Sequence, residues 1–334
     1  MSKRKILYLC ICIITIAACN PSEQKENNSE DVDFETRLKQ LNEEIEKNPQ
    51  SGLAYYNRSK LYFDHQKLSE SVLDIRRAMQ YDSTNADIHY LYADLSFMSN
   101  RLREAKEGFE KCIALNPTHR DAIVKLGEMY YYLREYQRAL DLANDALKLD
   151  VHFERAYFLK GMVYKETGDT VRAISSFQTA VEQNTQYLNA FMQLALIHMA
   201  KKNIVALDYL NSALRINPRS EEALYARGLY FQENGELDKA ISDYTNLVLI
   251  DPGHRSAHFN LGYIHYNYLG LNDEAIKHYE KALQADSTYA EAMYNMGLCY
   301  EARGEINTAK SLYSKALIIK PGYELPANGL QRLK

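Results

Sequence analysis

ALYARGLYFQENGELDKAISDYTNLVLIDP, Ala223 to Pro252, and AMYNMGLCYEARGEINTAKSLYSKALIIKP, Ala292 to Pro321, follow one grammar. A bulky residue (Leu224, Met293) is followed four places on by glycine (Gly228, Gly297) and three further on by an aromatic (Phe231, Tyr300). An alanine (Ala240, Ala309), a tyrosine (Tyr244, Tyr313) and a proline (Pro252, Pro321) then recur in the same order. Self-similarity at a fixed period outranks local signals, because a repeat unit buries its apolar face only against its neighbours. The period is 34 residues, and working outward from these stretches gives eight units, beginning at Gly52, Ala86, Arg120, Glu154, Leu188, Glu221, Arg255 and Ala290. Slot eight of the units holds Ser59, Ala93, Gly127, Gly161, Ala195, Gly228, Gly262 and Gly297, and slot twenty holds Ser71, Ala105, Ala139, Ala173, Ala206, Ala240, Ala275 and Ala309; all sixteen are small.

This pattern resembles the tetratricopeptide repeat, a helix-turn-helix unit. The resemblance implies an all-α fold, a right-handed α-α superhelix of about eight repeats across residues 52–323. It also implies a concave groove in which peptide segments of partners bind. Helices approach at the short end of the roughly 8–10 Å interaxial range only where no bulky side chain intervenes. Slots eight and twenty therefore mark the crossing of the two helices. Slot twenty-seven is Ala78, Cys112, Ala146, Ala180, Ala213, Leu247, Ala282 and Ala316, with Leu247 the one departure. The chain has no Trp, and the large slot four holds Tyr55, His89, Ile123, Tyr157, Phe191, Leu224, His258 and Met293. The fifth unit is one residue short and the seventh one long, both near the turn between the helices. Residues 33–51, containing FETRLKQLNEEIEKNP, read as an N-terminal capping helix, and 324–334 as a C-terminal one. Helices of roughly 12–15 residues are marginal alone, so stability is expected to come from stacking between neighbours.

On a helix at 100° per residue, slots two, five, nine and twelve lie nearly opposite the packing stripe of slots four, seven, eight and eleven. That side should be wet, yet slots five, nine and twelve are apolar or aromatic at 18 of 24 positions. In the first unit-helices these include Tyr56, Phe63, Tyr90, Phe97, Tyr131, Phe158, Met162 and Met192. Further along come Leu196, Met199, Tyr225, Phe259, Tyr263, Tyr266 and Tyr294. Some of these side chains are expected to seal adjacent first helices. As a whole, the stripe is expected to bind protein, because an extended exposed apolar patch is otherwise an aggregation liability. The Lys and Asn arrangement by which some relatives clamp a terminal carboxylate is not evident, so apolar anchors and Tyr hydroxyls carry the expected recognition.

Upstream of the repeats, Lys3, Arg4 and Lys5 precede an apolar run from Ile6 to Cys19. At 14 residues it falls short of the roughly 20 that cross a bilayer. A basic start, a short apolar middle and small residues at the break are parts of a signal peptide. Ile16, Ala17, Ala18 and Cys19 resemble the lipobox of bacterial lipoproteins, which implies removal of residues 1–18 and lipidation of Cys19. Several acyl chains would anchor stably where one is marginal. The expected place is the bacterial cell envelope, at the outer membrane, with the periplasmic or surface face left open. Residues 19–32 are polar and acidic and read as a flexible tether. Losing residues 1–18 would take the formal charge from −4 to −7, and with no basic cluster elsewhere nucleic acid is not an expected partner. Cys112 and Cys299, 187 residues apart in slots that take small or apolar side chains, read as buried and unpaired.

No P-loop, dinucleotide fingerprint or HExxH occurs, and no CxxC lies beyond residue 19. Nearly every residue is already assigned to a repeat slot, so neither a catalytic residue, a metal nor a cofactor is expected. His254, His258 and His265 could be drawn as a metal cluster, but His258 and His265 fill the large packing slots four and eleven and read as packed side chains. The expected function is a lipid-anchored scaffold for partner proteins of the envelope. A glycan-binding lipoprotein using the groove aromatics is the alternative.

Overall fold

The computed structural model describes residues 21–334, with side chains from residue 33. The described residues form eighteen helices and no strand. Helix α1 (Pro21–Lys47) precedes the repeats. The first four pairs are α2 (Gly52–Asp64) and α3 (Leu68–Tyr81), α4 (Ala86–Met98) and α5 (Leu102–Leu115), α6 (Arg120–Tyr132) and α7 (Tyr136–Leu149), and α8 (Glu154–Glu166) and α9 (Thr170–Gln183). The last four are α10 (Leu188–Ala200) and α11 (Ala206–Ile216), α12 (Glu221–Glu233) and α13 (Leu237–Ile250), α14 (Arg255–Asn267) and α15 (Asn272–Ala285), and α16 (Ala290–Ala302) and α17 (Ile306–Ile319). Helix α18 (Glu324–Arg332) follows. Each first helix begins at the residue read as slot one. The chain divides into two compact units, one ending at Leu133 and one spanning Arg134–Lys334.

In the first unit the small slots meet through hydroxyls. Ser59 Oγ and Ser71 Oγ each donate to the other's backbone carbonyl at 2.8 Å, so α2 and α3 cross at a reciprocal pair of buried hydrogen bonds. Between α4 and α5, a Cβ on Gly108 would lie 2.8 Å from that of Ala93, so the contact tolerates only one of them. In the second unit the glycines of slot eight lie under rings. A Cβ on Gly161 would stand 2.5 Å from the Phe177 ring, and one on Gly228, Gly262 or Gly297 would be 2.5–2.8 Å from Tyr244, Tyr279 or Tyr313. Gly127 is buried as well. Ala105, Ala139, Ala173, Ala206, Ala240, Ala275 and Ala309 are fully buried, as is Leu247 at slot twenty-seven. Cys112 and Cys299 are buried, and burial pushes both thiols up to about 12.

A charged device recurs in both units. Arg58 grips buried Asp74 with two parallel bonds of 2.6 and 2.8 Å and reaches Asn42 at 2.7 Å. Arg227 does the same with Asp243, at 2.8 and 2.7 Å, and with Asn211 at 2.8 Å. The planar guanidinium matches a carboxylate bidentately, so each pair fixes the rotation of a first helix against its second.

The connections are equally regular. Asp82, Asn116, Asp150, Asn184, Asn217, Asp251 and Asp286 end the second helices, and each side-chain oxygen accepts from the backbone N–H two residues on, at 2.9–3.1 Å. Such Asx turns stop a helix and start a loop without proline. The turn inside each repeat contains one left-handed residue: Gln66, Asn100, Arg134, Gly168, Lys202, Gly235, Gly270 and Gly304. The missing residue of the fifth repeat shortens α11 to 11 residues, and the extra one of the seventh enlarges the turn before α15.

Helix α1 covers residues 21–32 of the segment 19–32 that composition reads as coil, so that backbone is helical and not extended tether. The Glu, Gln and Lys of this stretch have good helix propensity. Phe34 and Leu41 of α1 are buried, with Phe34 4.5 Å from the His65 ring. At the other end Arg332 of α18 clamps Glu301 with two 2.8 Å bonds. No described helix is long and apolar enough to cross a membrane. Cys19 and the run before it lie outside the described residues.

Candidate binding surface

The stripe residues separate into two rows with different surroundings. In five repeats slot five holds a ring set between two others, while Val124 and Met192 fill it in the third and fifth. Tyr90 lies 5.9 Å from Phe109 of its own second helix and 4.7 Å from His119, the residue before the next first helix. Phe158 stands likewise between Phe177 and Tyr187, at 5.5 and 5.1 Å. Tyr225 stands between Tyr244 and His254, at 6.0 and 5.5 Å. Phe259 repeats this with Tyr279 and Tyr289, at 5.8 and 5.1 Å, and Tyr294 with Tyr313 and Tyr323, both at 5.6 Å. Tilted aromatic pairs at such separations contribute about 0.5–1.5 kcal/mol each beyond area burial. Each such ring therefore seals its repeat to the next, and the rings of slot five, Tyr56 included, are half-buried. His119 and His254 serve this seam twice, since their Nδ1 atoms also accept from Ala122 and Ala257 N–H at 3.1 Å and cap α6 and α14.

Met192 departs from the expectation of a surface residue. It is 2% exposed and belongs to the core of the second unit with Leu210 and Leu214. In its repeat the two flanking slots hold Leu210 and Ser220 in place of rings. The flexible thioether sinks into the space that two aromatics occupy elsewhere.

In each unit, slots nine and twelve form an open row. Phe63, Phe97, Tyr131, Met162, Leu196, Met199, Tyr263 and Tyr266 are all half-buried. Met199 borders a pocket of about 390 Å³ with Ile204, Tyr230, Lys202 and Glu233, beside the turn that the shortened repeat widens. Two rings that slot reasoning missed extend the row. Tyr132, 67% exposed, lies 5.9 Å from Phe97 and 5.4 Å from Tyr131. Tyr268, 55% exposed, meets Tyr263 edge-on at 6.1 Å. Tyr132 lies one place and Tyr268 two places beyond the last stripe slot of their helices, and a search confined to slots five, nine and twelve passes over them.

The electrostatics favour neutral donors. Burial, then Asp87 and Asp64, raises the Tyr56 phenol, and burial raises those of Tyr266 and Tyr294. These hydroxyls stay protonated at neutral pH and offer O–H groups beside apolar ring faces. At slot nine the units differ. The first places Lys60, Asp94 and Glu128 there, and Lys125 of α6 reaches Asp94 of α4 at 3.0 Å. The second places Met162, Leu196, Leu229, Tyr263 and Leu298 there.

His258 and His265 pack as expected, but with a partner that the sequence reading missed. His258 is 7% exposed and its ring meets His278 of α15. His254 instead caps α14. Among the described residues no three His, Cys, Asp or Glu side chains converge as a metal site.

The family pattern of the tetratricopeptide repeat matches residues 86–119, 124–187, 193–253, 225–290 and 269–333. A repeat protein of Methanocaldococcus jannaschii is 22% identical over 85% of this chain and 47% of its own length. The BBSome member BBS4 of Bos taurus is 27% identical over 44% of this chain and 28% of its own. The chain thus spans less than half of these curated relatives. Among solved structures, the Cut9 and Hcn1 hetero-tetramer of the APC/C superposes with a TM-score of 0.55 at 18% identity, covering 85% of this chain and 56% of that one. Human IFIT1 gives 0.57 at 17% identity, covering 86% and 68%. PilF of Pseudomonas aeruginosa gives 0.53 at 18%, covering 60% and 92%. At these identities the likeness is one of fold. With the repeat pattern matched over most of its length and the helix pairs it demands in place, the chain belongs to the tetratricopeptide repeat family, a scaffold suited to binding proteins or peptides.

Proposed function

We propose that this chain is a lipid-anchored scaffold of the bacterial cell envelope, at the outer membrane, and that it binds partner proteins or peptide segments through slots nine and twelve of its first helices. It works by recognition and not by catalysis. The observation that carries the reading is the contrast at slot nine. The first unit stacks its helices with Lys60, Asp94 and Glu128 in that slot, so stacking does not require an apolar residue there. The second unit nevertheless fills it with Met162, Leu196, Leu229, Tyr263 and Leu298. Met162 packs against the core of its repeat, but Leu196, Leu229, Tyr263 and Leu298 stand half in water, and such apolar side chains fit a surface that another chain covers. The anchor rests on the basic start, the short apolar run and the lipobox-like Ile16 to Cys19.

Peptide-display selection against the full chain, followed by calorimetry, tests the surface. The selected peptide is expected to bind the wild type and to lose at least about tenfold in affinity for a Leu196→Glu, Tyr263→Glu variant with an unchanged melting temperature. Full affinity in that variant would place binding elsewhere. For the anchor, Cys19→Ala is expected to abolish fatty-acid labelling and release the chain from membranes; a variant that stays membrane-bound would defeat the lipobox reading.

A further inference from the structure

Three histidine rings of the seventh repeat lie against one another, and their hydrogen bonds dictate where the protons are. Pro252 O accepts from His258 Nε2 at 3.1 Å, and Leu261 O accepts from His265 Nδ1 at 2.7 Å. A carbonyl only accepts, so each of these rings carries a proton at that atom. The bare Nδ1 of a neutral His258 then faces His278 Nδ1 at 3.2 Å, and the contact is a hydrogen bond when His278 donates. His278 is flanked on both sides, with centroids 5.5 Å from His258 and 5.2 Å from His265, the latter pair stacked at 28°. The arrangement is complete for three neutral rings. One added proton sets a cation against two imidazoles in a half-buried seam, and a second sets two N–H groups head to head.

We propose that this stack is an acid-sensitive latch: it holds α14 on α15 while the rings are neutral and loosens the seventh repeat when they take up protons. Groups of both signs surround it. Asp251 faces it from the end of α13, His254 from the cap of α14, and Glu274, Lys277, Glu280 and Lys281 from α15, where a pocket of about 410 Å³ opens beside His258 and His278. Toward α16 the two helices meet Ala292, Met296, Cys299 and Tyr300, and at the end of that helix Arg303 pairs with Asp273 of α15 at 2.8 Å. Burial, then the positive charge His265 and His258 would carry, pushes His278 down to about 4, and burial pushes His258 down as well. An opened repeat returns His258 and His278 to the ordinary histidine value of 6.5. The open state then binds more protons, so the latch is at full strength above that value and weakens as the pH falls toward about 4. Because α14 also carries Phe259, Tyr263 and Tyr266, loosening would withdraw three stripe rings. The latch itself does not depend on what the stripe binds.

Amide hydrogen exchange of the full chain in chelator-containing buffer, resolved by helix at about pH 7.5 and about pH 5, tests it. The expected result is that opening of α14 and α15, relative to α12 and α13 in the same sample, grows about thirtyfold at the lower pH. A His258→Leu, His278→Leu variant, which borrows the residues that other repeats carry as Leu224 and Leu312, is expected to lose that difference. Equal acid responses in the two helix pairs, or an undiminished response in the variant, would overturn the latch. Should the variant fail to fold, an imidazole NMR titration of the wild type decides: a His278 still neutral at about pH 5 sustains it, and ordinary titration of His278 near 6.5 refutes it.

Discussion

The two compact units use one set of repeat slots with two chemistries. In the first, slot eight meets slot twenty through serine hydroxyls, or packs alanine on glycine, and slot nine is charged. In the second, glycine lies under a phenylalanine or tyrosine ring, and slot nine is apolar. The crossing needs only a small side chain, and either chemistry supplies one. Slot nine has no such demand, because Asp94 and Lys125 link neighbouring first helices at 3.0 Å without an apolar residue in that slot. What varies freely between repeats is available for recognition, and what does not is reserved for packing.

Shared devices should respond alike in both units. Arg58→Ala and Arg227→Ala each strand a buried aspartate, and each is expected to cost about 3 kcal/mol in thermal or denaturant unfolding. Very different costs would mean that the Arg and Asp forks are not equivalent. Gly262→Leu, whose first added carbon would stand 2.8 Å from the Tyr279 ring, is expected to destabilise by about 1–3 kcal/mol through overpacking. An unchanged melting temperature would remove the crossing assignment. Carrying the first unit's charges into the second, as Leu196→Asp with Tyr263→Lys, is expected to change stability by less than about 1 kcal/mol. Collapse of the fold in that variant would show the apolar row to be structural. The smallest effect is at the turns: Lys202→Gly relieves a side chain at φ 52° and is expected to gain up to about 1 kcal/mol.

The helix starts, small slots and sealing aromatics were legible because each repeats at a fixed interval. The loop signal was legible too but sat one place before the proline followed in the sequence. Asx side chains end seven second helices, including those followed by Ser83, Val151, Thr185 and Ser287 in place of proline. Met192 misled because a slot defines a direction and not a depth. Its depth depends on Leu210 and Ser220, tens of residues away, being too small to hold it up. His278 escaped notice for the same reason. It occupies slot twenty-three, which elsewhere holds Asp74, Gly108 or Leu312, and only packing of α15 on α14 brings it to His258. The helical course of residues 21–32 was obscured by their polarity, which argues against burial but not against helix.

The most direct test of the account is site-specific photo-crosslinking of a selected peptide. A photoreactive residue would be placed at Met162, Leu196 or Tyr263 on the apolar row, and at Val171 or Leu249 on exposed parts of the second helices. The account predicts crosslinks from the first three positions, lost on competition with unlabelled peptide, and none from the last two. Crosslinks from Val171 or Leu249 alone would contradict it, and would move recognition from the first helices to the second.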